Sequence, residues 1–339
     1  MVSSTIPSRS VFVWFGSSLP LFAELAIRSV LRHDPGDRVV LYSGDGLKHV
    51  PPALKQDPRF EVREIRIEEL LKRAGNVARS SAQPDLDTER LRRVWNVLTT
   101  PAARSNMVRL LDMYSEGGVY LDTDTLTLKS LAPLRRYPAF CGMEYILWPW
   151  NLRRRSPIDW WVRRPLLTGV RGLLSVVPGG HELNRPLLSQ YTLAVNNAVL
   201  GFHEGHPALH RALQRIAGLA RSQWTKRYRL GSHLMQEVLG EQPEHEDGRV
   251  HLCPPEYFYP VGPVLSAHYF RRSPDPVRLS RQLTDEKTYV IHWYASVSNL
   301  LRFDQAAIRK RARDTVFAHL CLEVLEGESP EPLGLAQSA

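Results

Sequence analysis

Two carboxylates, Asp122 and Asp124, stand two residues apart at the end of the apolar run Val119-Tyr120-Leu121. Placed where a strand leaves the core, carboxylates at i and i+2 can bring oxygens to one hard divalent cation, and such an ion can also bridge a pyrophosphate. Asp-x-Asp alone also marks solvated turns, so the surrounding residues must carry the assignment. Upstream, Thr100 can cap a helix whose first position is Pro101. Met107, Leu110, Leu111 and Tyr114 recur at helical spacing, and Gly117 can end the helix in the left-handed conformation. Val119 to Leu121 then reads as a short buried strand. Ser105, Asn106 and Arg109 ride on that helix, and the aspartates emerge just after it.

Other residues could join this chemistry. Asn196 and Asn197 lie inside an apolar run from Ala194 to Phe202, where amides that were merely buried would leave donors and acceptors unpaired. They are expected to face a polar ligand or brace a loop, and with Arg109 they are the catalytic candidates. Trp14 lies at the carboxyl end of the run Val11 to Phe15, next to its last residue, where an aromatic plane could stack on a nucleotide base. Glu144 closes a later strand, Ala139 to Glu144. His292 lies on the strand Thr288 to Trp293, a setting in which a single histidine is usually structural.

The elements that must position these residues alternate between strand and helix. Strands are expected at Val11 to Gly16, Arg38 to Tyr42 and Phe60 to Ile67, with a helix at Leu21 to Leu31, so βαβ units and a mainly parallel sheet follow. In such sheets ligands sit at the carboxyl ends of strands. Lys72 to Arg93 is polar and is expected to cross the surface. A helix is expected from Ala208 to about Ala220, and Asp304 is expected to cap an amphipathic helix running to Leu325. One large domain over residues 11–325 is expected, with disordered ends at 1–10 and 326–339.

The 339 residues, 43% of them apolar, can bury a substantial core. Three widely spaced cysteines, Cys141, Cys253 and Cys321, argue against a disulfide framework or a zinc cluster and fit a reducing cytosol. Val11 to Phe15 is too short for a secretory h-region, and no run approaches the ~18 apolar residues of a membrane span, so a cytoplasmic protein is expected. The formal charge of +9 suits anionic partners. Nucleic acid is not among those expected, because zinc-finger spacing, a phosphate loop with lysine and an aromatic RNA-binding signature are all missing. Residues 145–190 hold Trp148, Trp150, Trp160 and Trp161 among Arg153, Arg154, Arg155, Arg163 and Arg164. This helical, aromatic excursion suits a sugar face, an anionic lipid-linked acceptor, or peripheral contact with the inner face of an anionic membrane.

The whole run from Thr99 to Leu131 resembles the sugar-binding signature of the DXD glycosyltransferases. These include glycosyltransferase family 32, the α-1,4-galactosyltransferases, the fungal initiating α-mannosyltransferases and the glucosylating clostridial toxins. The C-terminal half is similar to the α-1,4-galactosyltransferases at Asn196 to Phe202, at Gly231-Ser232-His233 and at Pro254-Pro255-Glu256-Tyr257-Phe258-Tyr259-Pro260. This resemblance implies a GT-A-like, Rossmann-type α/β fold. It also implies metal-dependent, retaining transfer from a nucleotide-sugar, in the first place a UDP-sugar, to a glycan, glycolipid or small-molecule acceptor through an α-linkage. It places Mn2+ or Mg2+ on Asp122 and Asp124, with His292 as third ligand and Ser296 as a weaker one. It places Trp14 against the base, and Asn106, Arg109, Tyr120 and Asp122 along the nucleotide-sugar. The relatives carry Ser-Asp where this chain has Ser105-Asn106, so the side chain keeps an acceptor but loses a charge.

Two other readings compete. Asp122-Thr123-Asp124-Thr125-Leu126 after an apolar strand also fits a haloacid-dehalogenase-type phosphatase, in which the first Asp is a nucleophile and the second a general acid. That chemistry needs a later acidic pair, for which only Glu244, Glu246 and Asp247 offer themselves. The other reading is a non-catalytic sugar- or nucleotide-binding protein on the same fold.

Overall fold

The computed structural model describes residues 5–44, 46–147, 159–240, 248–295 and 298–327. Its strands are β1 (Arg9–Phe15), β2 (Arg38–Gly44), β3 (Phe60–Glu64), β4 (Gly118–Leu121), β5 (Thr125–Thr127), β6 (Ala139–Ile146), β7 (Thr192–Phe202), β8 (His251–Cys253) and β9 (Val290–His292). Seven of them form one sheet in the order β3-β2-β1-β4-β7-β6-β8, while β5 and β9 pair separately. Neighbours in the large sheet run parallel except at β7, which is antiparallel to both β4 and β6. This is the mixed α/β architecture expected of a GT-A-like fold.

The central strands are apolar on both faces because helices cover both. Phe12, Val39 and Leu41 pack with the helix Leu21–His33 and the C-terminal helix Val316–Glu326. Val11, Val13 and Val40 point the other way, toward the helices Ile67–Ser80, Pro101–Glu116, Pro207–Gly218 and Ser232–Gly240. The chain leaves β1 toward β2 on one side and returns to β4 on the other. The carboxyl ends of β1 and β4 therefore flank a crevice of the kind that holds ligands in open α/β sheets.

The central helix Pro101–Glu116 forms as its sequence dictates. Thr100 accepts a hydrogen bond from the Ala103 amide, Pro101 opens the first turn, and Gly117 closes the helix at φ 65°. Gly118 follows at φ 116°, and a Cβ there would lie 2.7 Å from the Arg9 carbonyl oxygen, so only glycine lets β4 enter the sheet so close to β1. Beneath this turn Arg9 and Asp112 make two N···O contacts of 2.8 Å, and the Tyr42 hydroxyl donates to Asp112 at 2.6 Å. This buried pair ties the first strand to the helix that precedes the aspartates.

Three segments differ from expectation. The first strand begins at Arg9 rather than Val11, and Ile6 is already buried. Lys72 to Arg93, expected to cross the surface, falls largely within the helices Ile67–Ser80 and Thr88–Val97, whose apolar residues Leu70, Leu71, Ala74, Val77, Leu91 and Val94 are buried. The charges that dominate its composition occupy the outer faces of two amphipathic helices. At the C-terminus, the expected single helix is two, Gln305–Arg311 and Val316–Glu326, each with its own capping side chain, Asp304 and Thr315. Residues 328–339, within the tail expected to be disordered, lie outside the described residues.

β7 leads into His206, which is fully buried and caps the helix Pro207–Gly218 through Nδ1, accepting from the Ala208 amide at 3.1 Å. Burial lowers its pKa to about 3 from an ordinary value of 6.5. Protonating Nδ1 would break the cap, so the unfolded chain takes up this proton first. The contribution is complete above the unfolded pKa and is lost as pH falls, by about 2 kcal/mol between pH 7.5 and 5. Urea midpoints at the two pH values should drop further in the wild type than in His206→Asn, which keeps a capping group without the titration.

Candidate active site

Asp122 leaves β4 with its amide donating to the Ala198 carbonyl at 2.8 Å, which fixes it against β7. Its Oδ1 accepts from Arg109 Nη2 at 2.7 Å and from the Tyr120 hydroxyl at 2.7 Å. The Arg109 guanidinium also donates to Tyr120 at 3.0 Å and to the Asn197 carbonyl, and lies 3.9 Å from the centroid of the Tyr120 ring. Arg109 is only 3% exposed, so its charge is spent on holding Asp122 and β7. Arg109, expected along the nucleotide-sugar, is turned by the helix toward the sheet, where its guanidinium contacts Asp122, Tyr120 and the Asn197 carbonyl. Tyr120 is likewise buried and serves Asp122.

Asp124 is held from the opposite side. Antiparallel pairing of β5 with β9 sets Thr125 across from His292, and this register carries His292 Nε2 to 3.1 Å from Asp124 Oδ1. The Ala295 amide donates to Asp124 Oδ2 at 2.7 Å, and the Trp293 amide to the Asp124 carbonyl at 2.8 Å. Asp122, Asp124 and His292 each offer a ligand atom, all within 4.8 Å of one another. Ser296, the weaker expected ligand, lies outside the described residues. Burial raises the Asp122 carboxyl above its ordinary value despite Arg109. Burial also opposes charge on Asp124 and His292, but their mutual attraction outweighs it, so Asp124 sits below and His292 above its ordinary pKa. Two hard carboxylate oxygens and one imidazole nitrogen form a donor set able to hold a divalent cation.

The amides come together through a bulge. Cys141 pairs with Leu200 but Gly142 with Asn196, so residues 197–199 bow away from β6 toward the aspartates. Asn197 Nδ2 donates to Asn106 Oδ1 at 3.0 Å, joining strand to central helix. Asn196 instead turns its Oδ1 back onto the Ala198 amide at 2.9 Å and shapes the bulge. Gly231 sits against both Asn106 and Asn197, where a Cβ would come within 3.0 Å of their amide nitrogens. Trp14 is half-buried at the end of β1, its edge toward Phe22 and its indole N–H donating to the Ser18 carbonyl at 2.9 Å.

Tyr259 and Tyr294 are additions that residue type alone did not single out. The Tyr259 hydroxyl accepts from the Val199 amide at 3.0 Å, and its ring meets His292 edge-on at 5.8 Å. Tyr294 adopts φ 54°, lies with its ring tilted against that of His292 at a centroid distance of 4.1 Å, and donates to Glu144 at 2.9 Å. A non-glycine residue in the left-handed region is strained, and such strain gathers at functional sites. Of the excursion, Trp148, Trp150, Arg153, Arg154 and Arg155 lie outside the described residues, as do Glu244, Glu246 and Asp247. Among the described residues, the groups beside Asp122 and Asp124 are those above, and none is a further carboxylate able to share a cation.

Residues 23–141 match the family described as the glycosyltransferase sugar-binding region containing a DXD motif. No curated protein matches the chain. Similar solved structures include galactosyltransferase LgtC in complex with donor and acceptor sugar analogues, with 13% identity over 96% of this chain and 98% of that one at a TM-score of 0.39. Mouse xyloside xylosyltransferase 1 shows 15% identity over 86% and 98% at 0.40. The UDP-bound glycosyltransferase domain of the YGT toxin shows 10% identity over 74% and 80% at 0.40.

Proposed function

We propose that this DXD-type glycosyltransferase takes its sugar from a nucleotide-sugar, in the first place a UDP-sugar, whose diphosphate docks on a divalent cation held by Asp122, Asp124 and His292. The observation that carries the reading is the convergence of these three side chains, the two aspartates just beyond the carboxyl end of β4 and His292 at the end of β9. A bound Mn2+ or Mg2+ would supply charge neutralisation for the leaving diphosphate. The chain's own residues do the positioning. Arg109 and Tyr120 orient Asp122, while Ala295 and His292 orient Asp124. Asn106 and Asn197 present neutral amides where a sugar's hydroxyls could bind. The likeness of Asn196 to Phe202 and Pro254 to Pro260 to the α-1,4-galactosyltransferases supports retention and an α-linked product. The acceptor is a glycan, glycolipid or small molecule. Exposed Trp161, Val162, Leu166 and Leu173 beside Arg163 and Arg164 support contact with an anionic membrane surface.

A thermal-shift series of nucleotide-sugars with and without Mn2+ tests this reading. A UDP-sugar should raise the melting temperature only with the metal, and an equal shift in EDTA would refute the cation's role. Within the same series Trp14→Ala should weaken UDP binding by about 1–3 kcal/mol, the contribution of base stacking, and leave turnover at saturating donor nearly unchanged. Titration of UDP against intrinsic fluorescence measures it, and equal affinity in the variant would reduce Trp14 to packing against Phe22.

A further inference from the structure

Beyond the aspartates, at the carboxyl end of β6, lies a cavity of about 290 Å³ lined by Tyr145, Ile146, Arg164, Thr168, Arg171 and Pro263. Arg164, Thr168 and Arg171 recur at i, i+4 and i+7 of the helix Arg164–Leu174 and so share one face of it. Arg171 is 5% exposed, yet no carboxylate, hydroxyl or carbonyl among the described residues pairs with it, and its Nε is buried without a partner. The Tyr191 ring lies 5.0 Å from the guanidinium. Burial lowers its pKa, opposed by Tyr191, Glu144 and Tyr294. Gly262 admits this guanidinium, since a Cβ there would lie 3.0 Å from Nη2. A buried arginine with unused donors is costly unless a ligand completes it, and its planar fork matches phosphate or carboxylate oxygens.

We propose that this cavity binds an anionic group of the acceptor, a phosphate or a carboxylate, on Arg171. Arg164 stands at the rim of the same cavity and adds a second positive charge. The inference rests on the transferase reading only for the word acceptor. Glu144 is the link between the two sites, since it precedes Tyr145 in β6 and accepts from Tyr294, whose ring lies tilted against that of His292. An acceptor anchored on Arg171 would therefore lie beside the metal ligands.

The test is binding of inorganic phosphate in the presence of EDTA, followed by calorimetry or by phosphorus NMR line broadening. Wild type and Asp124→Asn should bind phosphate alike, whereas Arg171→Gln should weaken it at least 10-fold and Arg171→Lys should recover part of the loss. Equal binding by wild type and Arg171→Gln, or loss in Asp124→Asn, would overturn the assignment. Arg171→Gln should retain the wild-type far-UV spectrum, and Thr168→Val, which leaves the guanidinium in place, should keep binding within threefold. Transfer to soluble sugar phosphates and to phosphate lipids in vesicles then separates the two sources of the anion. Failure of the transferase reading would instead appear as no metal-dependent donor hydrolysis, with phosphate binding intact.

Discussion

Asp124→Asn should lose metal-dependent binding of the nucleotide-sugar and its turnover while keeping the fold. On the proposed reading Asp124 is a direct ligand, and removing its charge should cost at least the 10-fold to 100-fold seen for groups that merely orient metal ligands. Asparagine is the informative substitution because Asp124 has two duties. It offers an oxygen to the cation site, and it accepts from the Ala295 amide at 2.7 Å and pairs with His292. The amide oxygen of asparagine can still accept from Ala295, whereas Asp124→Ala would release the segment after β9 and cost about 1–3 kcal/mol of stability in addition. Mn2+ titration, donor hydrolysis and melting temperature together separate the two duties. Retained Mn2+ affinity in Asp124→Asn would remove this residue from the metal site.

The largest loss of stability should follow Asp112→Ala. Asp112 is fully buried and receives Arg9 through two 2.8 Å contacts and Tyr42 at 2.6 Å. Taking away the carboxylate leaves the Arg9 charge buried without that partner, which costs about 3–5 kcal/mol. The denaturant midpoint should fall accordingly at unchanged m-value. Activity should fall with it near the growth temperature, because the pair fixes β1 against the helix that delivers Asp122. A midpoint within experimental error of the wild type would mean that Glu116, 3.5 Å from Arg9 Nε, takes over the charge.

The sequence by itself determined the local frame of this protein. Thr100, Pro101 and Gly117 set the ends of the central helix, and the apolar strand Val119 to Leu121 set where Asp122 and Asp124 emerge. Each depends on backbone preferences and contacts within a few residues, which a single chain displays openly. The alternation of strand and helix, and with it the mainly parallel sheet, was legible for the same reason. The two helices between Ile67 and Val97 were not, since their sparse apolar residues count as a buried face only once a core exists to receive them.

Only the tertiary structure decided which polar groups face one another. His292 stands 168 residues from Asp124, and the β5–β9 register, not any local pattern, brings them to 3.1 Å. Residue type could not tell whether Arg109 serves a ligand or the protein. The packing of the central helix against the sheet turned it onto Asp122, Tyr120 and Asn197. Arg171 was one of many arginines in a basic chain, and its burial without a paired carboxylate exists only once its helix closes against β6 and the loop at Gly262. Pairing and burial are properties of the assembled core: long-range contacts choose among the partners that local chemistry leaves open.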